Sequence, residues 1–159
     1  MVVHDPDSPN FDKEKSIGFL VHEVARLFRR RFEDEARTHN VTLPQWRALI
    51  EIHKNEGISQ VSLAGCIDTD PMTMSGILDR LEKRGLIERY PDPNDSRAKL
   101  ARLTESGVEL VDTARSIGRE FYENALAGVS DLERARLVAG LTRIRANLNN
   151  MTAEEKEAV

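Results

Sequence analysis

One cysteine in 159 residues, Cys66, leaves no intrachain disulfide framework and suits a reducing compartment. No apolar run approaches the roughly 20 residues that a membrane-spanning helix needs. The N-terminal stretch is acidic, with neither a basic n-region nor an apolar h-region, so no signal peptide is expected and the chain is assigned to the cytoplasm. Four histidines (His4, His22, His39 and His53) lack metal-ligand spacing and have no cysteine cluster beside them, which reads as structural or surface use rather than a zinc site. Glycine-rich phosphate loops, nucleophile elbows and paired carboxylates are missing too. No catalytic residue, metal or cofactor is therefore expected. A basic excess is also absent: the net charge of −4 excludes a non-specific nucleic-acid coat.

What is present is helical patterning. Hydrophobic content of 40% beside 31% charge fits a helix-rich globular chain of one to one-and-a-half domains. Residues 1–12, rich in proline and aspartate, read as a loose arm. From Lys13 to His39, Ile17, Leu20, Val21, Val24, Leu27, Phe28 and Phe32 recur at helical spacing. Asn40 is a plausible stop, and Thr42 with Gln45 forms a capping box for a second helix whose inward face holds Trp46, Leu49, Ile50 and Ile52.

The densest information lies in residues 58–107. Ser59 caps a short third helix carrying Cys66, which reads as a buried, inert thiol rather than a redox sensor. Asp70 and Pro71 open a fourth helix with Met74, Ile77, Leu78 and Leu81 inward. Met72, Thr73, Ser75, Gly76, Asp79 and Arg80 are left for its outer face. Gly85 stops it, and strands at 86–90 and 97–103 flank a polar tip at 91–96. Helix, turn, helix and charged ribbon spell a winged helix-turn-helix. Thr104 caps a fifth helix, and Ser130 with Glu133 opens a sixth through Leu137, Val138, Leu141, Ile144 and Leu148. Residues 152–159 read as a frayed tail.

The long flanking helices, 13–40 and 108–151, carry more apolar surface than one small core can cover. Exposed patches of that size point to association, and a two-fold dimer is the simplest form. On the fourth helix, Thr73 and Ser75 can hydrogen-bond base edges and Met72 can touch a thymine methyl. The other reading is an ordinary solvated helix face. Arg97, with Lys99 and Arg102 behind it and Asp95 as its partner, suits a phosphate or minor-groove contact. A charged edge hairpin is the alternative. Seven bases against eight acids in 58–107 weigh against long-range attraction to DNA, so charge placement must matter more than its sum. A protein–protein module with a winged fold stays open on that count. Arg26, Arg29, Arg30 and Arg31 read as cations paired along a wet face; the other reading puts Arg26 with Trp46 and His22 in a pocket suited to a carboxylate.

Three stretches carry a family resemblance: ISQVSLAGCI, TMSGILDRLEKRGLIER and PDPNDSRAKLARLTESG. Together they make the chain similar to the MarR family of transcriptional regulators over residues 13–151. The resemblance implies a mainly α winged-helix fold over 41–107, flanked by dimerisation helices. It also implies a homodimer on a double-stranded pseudo-palindromic operator, often a repressor, with a small aromatic acid as possible effector. The groove-reading positions then fall on Pro71, Met72, Thr73, Ser75 and Gly76, and the wing pair on Asp95 and Arg97. This chain departs from the pattern at Gly76, where many members carry arginine or another long polar residue. It departs again at Asp68, in place of a turn glycine, and at Asp70, an acid where phosphate approaches. No cysteine lies on the first helix, so oxidation sensing is not carried over.

Overall fold

Short polar side chains set the helix starts of this chain. In the computed structural model, which describes residues 16–95 and 97–157, the elements run α1 (Ile17–Thr38), α2 (Leu43–Lys54), β1 (Ile58–Ser59), α3 (Gln60–Cys66), α4 (Pro71–Lys83), β2 (Ile87–Pro91), β3 (Lys99–Leu103), α5 (Glu105–Ala125) and α6 (Asp131–Glu157). The arm at 1–12 and the expected helix start at Lys13 lie outside the described residues. Ser16 Oγ accepts the Phe19 N–H at 3.1 Å. Thr42 and Gln45 exchange bonds in a full capping box, and Ser59 accepts from Ser62 at 3.2 Å. Asp70 Oδ1 takes both the Met72 and Thr73 N–H groups, at 3.0 and 2.9 Å, with Pro71 in the first helical position.

The fold is mainly α with a small antiparallel sheet in the order β1-β3-β2, a winged helix-turn-helix. Two compact units make up the chain, one ending at Arg115 and the other beginning at Ser116. The first closes a core around Leu49, Ile52, Leu63, Met74, Leu78, Leu81, Ile87 and Val111, all under 2% exposed. Burying each such side chain stabilises by about 1.5–3 kcal/mol. The inward face expected for α4 is buried in full.

A tight lock joins α4, the wing and α5. Thr104 Oγ1 donates to the Gly85 carbonyl at 2.6 Å and accepts the Gly107 N–H at 3.1 Å. Gly85 itself sits at φ +67°, which glycine adopts without strain. A β-carbon at Gly107 would lie 2.1 Å from the Leu86 carbonyl oxygen, so only glycine fits. Thr104 and Gly107, the Thr-x-x-Gly of the wing motif, therefore serve architecture. Asp68, where a turn glycine was expected, does occupy the left-handed region, at φ 58°.

Four expectations need correction. β1, pairing Ile58 with Ala101 and Ser59 with Leu100, was not foreseen, because a two-residue strand carries no periodicity. β2 begins at Ile87 and ends on Pro91, paired with Lys99; proline is tolerated because β2 is an edge strand. Cys66 is exposed rather than buried, since Leu63, Ala64 and Ile67 fill the inward positions around it. The C-terminal residues read as frayed continue α6 to Glu157.

In the second unit, Ser130 and Glu133 form the expected box. Arg134 donates to the Leu126 and Val129 carbonyls, tying the start of α6 to the turn that follows α5. Among the described residues, no helix is long and apolar enough to cross a membrane.

Candidate nucleic-acid interface

α4 turns two different faces outward and inward. Opposite the buried Met74–Leu81 stripe, Pro71, Met72 and Thr73 are exposed, Met72 at 85%. Ser75 and Gly76 are half-buried, and Arg80 is exposed. A large apolar side chain this open at a helix start has a methyl-contact role available to it and little structural use. Gln60 Nε2 donates to the Pro71 carbonyl at 2.9 Å, clamping α3 to the start of α4. Arg84 reaches the Asn40 and His39 carbonyls, tying the other end to the α1–α2 turn. The outer face is thus held at both ends.

At the wing, Arg97 is the most open cation among those in ion pairs. Arg97 projects with 90% of its side chain exposed, while its Nε and its backbone N–H both donate to Asp95 Oδ1, at 3.2 and 3.0 Å. Those two bonds, the backbone one first, hold the Asp95 carboxyl below the usual carboxylate range. Lys99 is exposed beside it. Ser59 and Gln60 line the same groove as Arg97 and Lys99. From sequence, Ser59 reads only as a helix cap and Gln60 not at all, since a cap and a neutral amide carry no charge pattern. Arg102, expected behind Arg97, is held elsewhere: it pairs with Glu88 at 2.8 Å and lies 5.5 Å over the Tyr90 ring.

Charge placement answers the unfavourable charge count. Arg89 lies within 2.7 Å of Asp79 and also grips Glu82, with its Nε 3.0 Å from Glu82 Oε2. The Arg89 bonds hold Glu82 below the ordinary carboxylate range. Asp70 is lowered as well, by hydrogen bonding from Thr73 and then Met72. Six of the eight acids in 58–107 have structural partners: Asp70 in a cap, Asp92 in a turn, Asp79 and Glu82 with Arg89, Glu88 with Arg102, Asp95 with Arg97. The pairs occupy Arg89, Arg97 and Arg102 as well, so they leave the sum unchanged and set only where charge sits. Arg89 was legible only as one base in a count, because its partners lie across a turn from it.

The pocket imagined around Trp46, His22 and Arg26 is not assembled from those three. Trp46 is buried with the His39 ring edge-on at 5.6 Å, whereas Arg26 is exposed and paired with Glu23 at 2.6 Å, and His22 is exposed. The Arg31–Glu35 and Arg37–Asp34 pairs follow the expected wet-face pattern.

Comparison with known proteins adds to this geometry. A family model described as "MarR family" matches residues 41–99. The transcriptional repressor IacR of Pseudomonas putida is 25% identical over 150 residues, covering 93% of this chain and 89% of its own length. The repressor NicR of Pseudomonas putida KT2440 is 27% identical over 132 residues, covering 83% of this chain and 84% of its own. Among solved structures, the S. aureus MepR–DNA complex superposes with a TM-score of 0.74 at 26% identity, covering 86% of this chain and 99% of that one.

Proposed function

The chain belongs to the MarR family of DNA-binding transcriptional regulators, and on that premise we propose that it is a homodimeric repressor relieved by a small molecule. It acts by occupying a pseudo-palindromic operator, not by catalysis. Pro71, Met72, Thr73, Ser75, Gly76 and Arg80 face the major groove, while Arg97, oriented by Asp95, and Lys99 meet the backbone beside it. The observation that carries this reading is the bared N-terminal face of α4, with Met72 at 85% exposure, set beside a single projecting wing arginine. MepR is a relative solved on DNA, and IacR and NicR are named repressors, which supports the direction of regulation.

The dimer rests on the flanking helices. On α6, Leu137, Leu141, Ile144, Leu148 and Met151 recur in alternating steps of four and three, the spacing of a helix seam. Leu137, Leu141 and Ile144 are 54%, 47% and 38% exposed in a single chain. Ile17, Leu20, Val24 and Leu27 on α1 are open as well. A second copy covers these stripes in the proposed dimer. Trp46 is buried, and its Nε1–H has no hydrogen-bond partner among the described residues.

Selection from a random-duplex pool at low salt tests the DNA half. An inverted repeat should emerge, and Arg97→Ala should weaken binding to it with a salt slope smaller by about one. No enriched sequence would end the proposal. Trp46 is the sole tryptophan, so its fluorescence reports directly on titration with aromatic acids, and dissociation from the repeat should track the same curve.

A further inference from the structure

We propose that Arg80 reads a guanine in each operator half-site, its guanidinium carried over the notch that Gly76 leaves on α4. The inference rests on α4 being the groove-reading helix and goes beyond it by naming the reading group and the base. A β-carbon built at Gly76 would lie 3.7 Å from Arg80 Nη2, 3.9 Å from Nη1 and 4.0 Å from Cζ. Long helical side chains lean toward the helix N-terminus, and here nothing stands one turn back to stop the lean. The guanidinium therefore rests over position 76, one turn back from its own Cα. A sequence that lacks a long polar residue at 76 recovers one from the following turn.

The surrounding charges leave this cation available. Its nearest acids along the helix, Asp79 and Glu82, are drawn off by Arg89 from the wing side. Among the described residues, Arg80 has no carboxylate within ion-pairing distance. Along the helix, the positions three and four residues from Arg80 (Gly76, Ile77, Lys83 and Arg84) carry no acid, so no carboxylate on its own face competes for it. A planar, unpaired guanidinium on a groove-facing helix suits the paired acceptors O6 and N7 of guanine.

The test compares sequence-selection profiles of the full chain and three variants, with thermal melting of each. The unaltered chain should enrich an inverted repeat with one guanine fixed in each half. Arg80→Ala should flatten that position alone, lowering discrimination there by about 10- to 100-fold with the melting temperature unchanged. Arg80→Lys should keep the affinity and salt dependence of a cation but lose the guanine preference, since an ammonium lacks the fork. The exchange Gly76→Arg with Arg80→Ala should restore guanine at that base pair or its neighbour. If the unaltered chain selects a sequence and Arg80→Ala weakens binding equally across all sequences, Arg80 is a phosphate contact and this inference fails while the DNA reading stands. If the exchange restores nothing in a protein that melts normally, the notch has no role and the inference fails. If the unaltered chain selects no sequence, the groove-reading assignment itself falls.

Discussion

Leucines in the winged unit and leucines on α6 meet opposite surroundings. Leu49, Leu78 and Leu81 are almost wholly buried, whereas Leu137 and Leu141 leave about half their surface open. The side chains are the same, and both sets follow helical spacing. The difference is that α2, α3, α4, the sheet and α5 enclose a core within one chain, while the stripe on α6 is exposed in a single chain. One region closes its apolar face within the chain; the other leaves it open. In the proposed function, DNA reading falls to the winged elements and pairing to the open stripes of α1 and α6.

The comparison can be broken from the closed side first. Gly107→Ala forces a β-carbon against the Leu86 carbonyl, where backbone must give way, and should cost about 3 kcal/mol or more of winged-unit stability in denaturant unfolding. From the open side, Leu141→Asp places a charge in the proposed seam. Sedimentation should show pairing weakened by at least about 2 kcal/mol, with the winged unit still folded by circular dichroism. If that variant unfolds the winged unit instead, the two regions are not separable in the way described. Arg89→Ala is smaller: it strands Asp79 and Glu82, both partly open to water, and should cost about 1–2 kcal/mol in thermal melting.

Acid sharpens the contrast with the least effect. Glu82, Asp70 and Asp95 in the winged unit have folded-state pKa values below their unfolded ones. Their contribution is present above the unfolded value of about 4 and is lost as pH falls through the still lower folded values. Melting of the winged unit should therefore be flat from pH 7 to 5 and decline below about 4. Pairing through α6, resting on leucine and isoleucine, should not follow the same curve.

Local chemistry made much of this legible from sequence. Thr42, Ser59, Asp70 and Ser130 announce helix starts because a cap needs only its own neighbours three residues on. The α4 stripe of Met74, Ile77, Leu78 and Leu81 was readable for the same reason. Features that depend on distant partners were not. β1 exists because the free side of β3 accepts it. Arg89 finds acids across a turn, and Arg80 lies over a glycine whose absence of side chain gives no signal by itself. Cys66 was misplaced inward because small neighbours suggested packing, when the inward positions belong to Leu63, Ala64 and Ile67.

Two chains gripping one inverted repeat through matched α4 helices is the claim on which regulation by this protein depends. Hydroxyl-radical footprinting of a selected duplex, with sedimentation of the same complex, addresses it directly. Two chains per duplex and two protected patches centred roughly 34–36 Å apart are expected. A single chain on a single patch, or a paired protein that leaves the duplex unprotected, would contradict it.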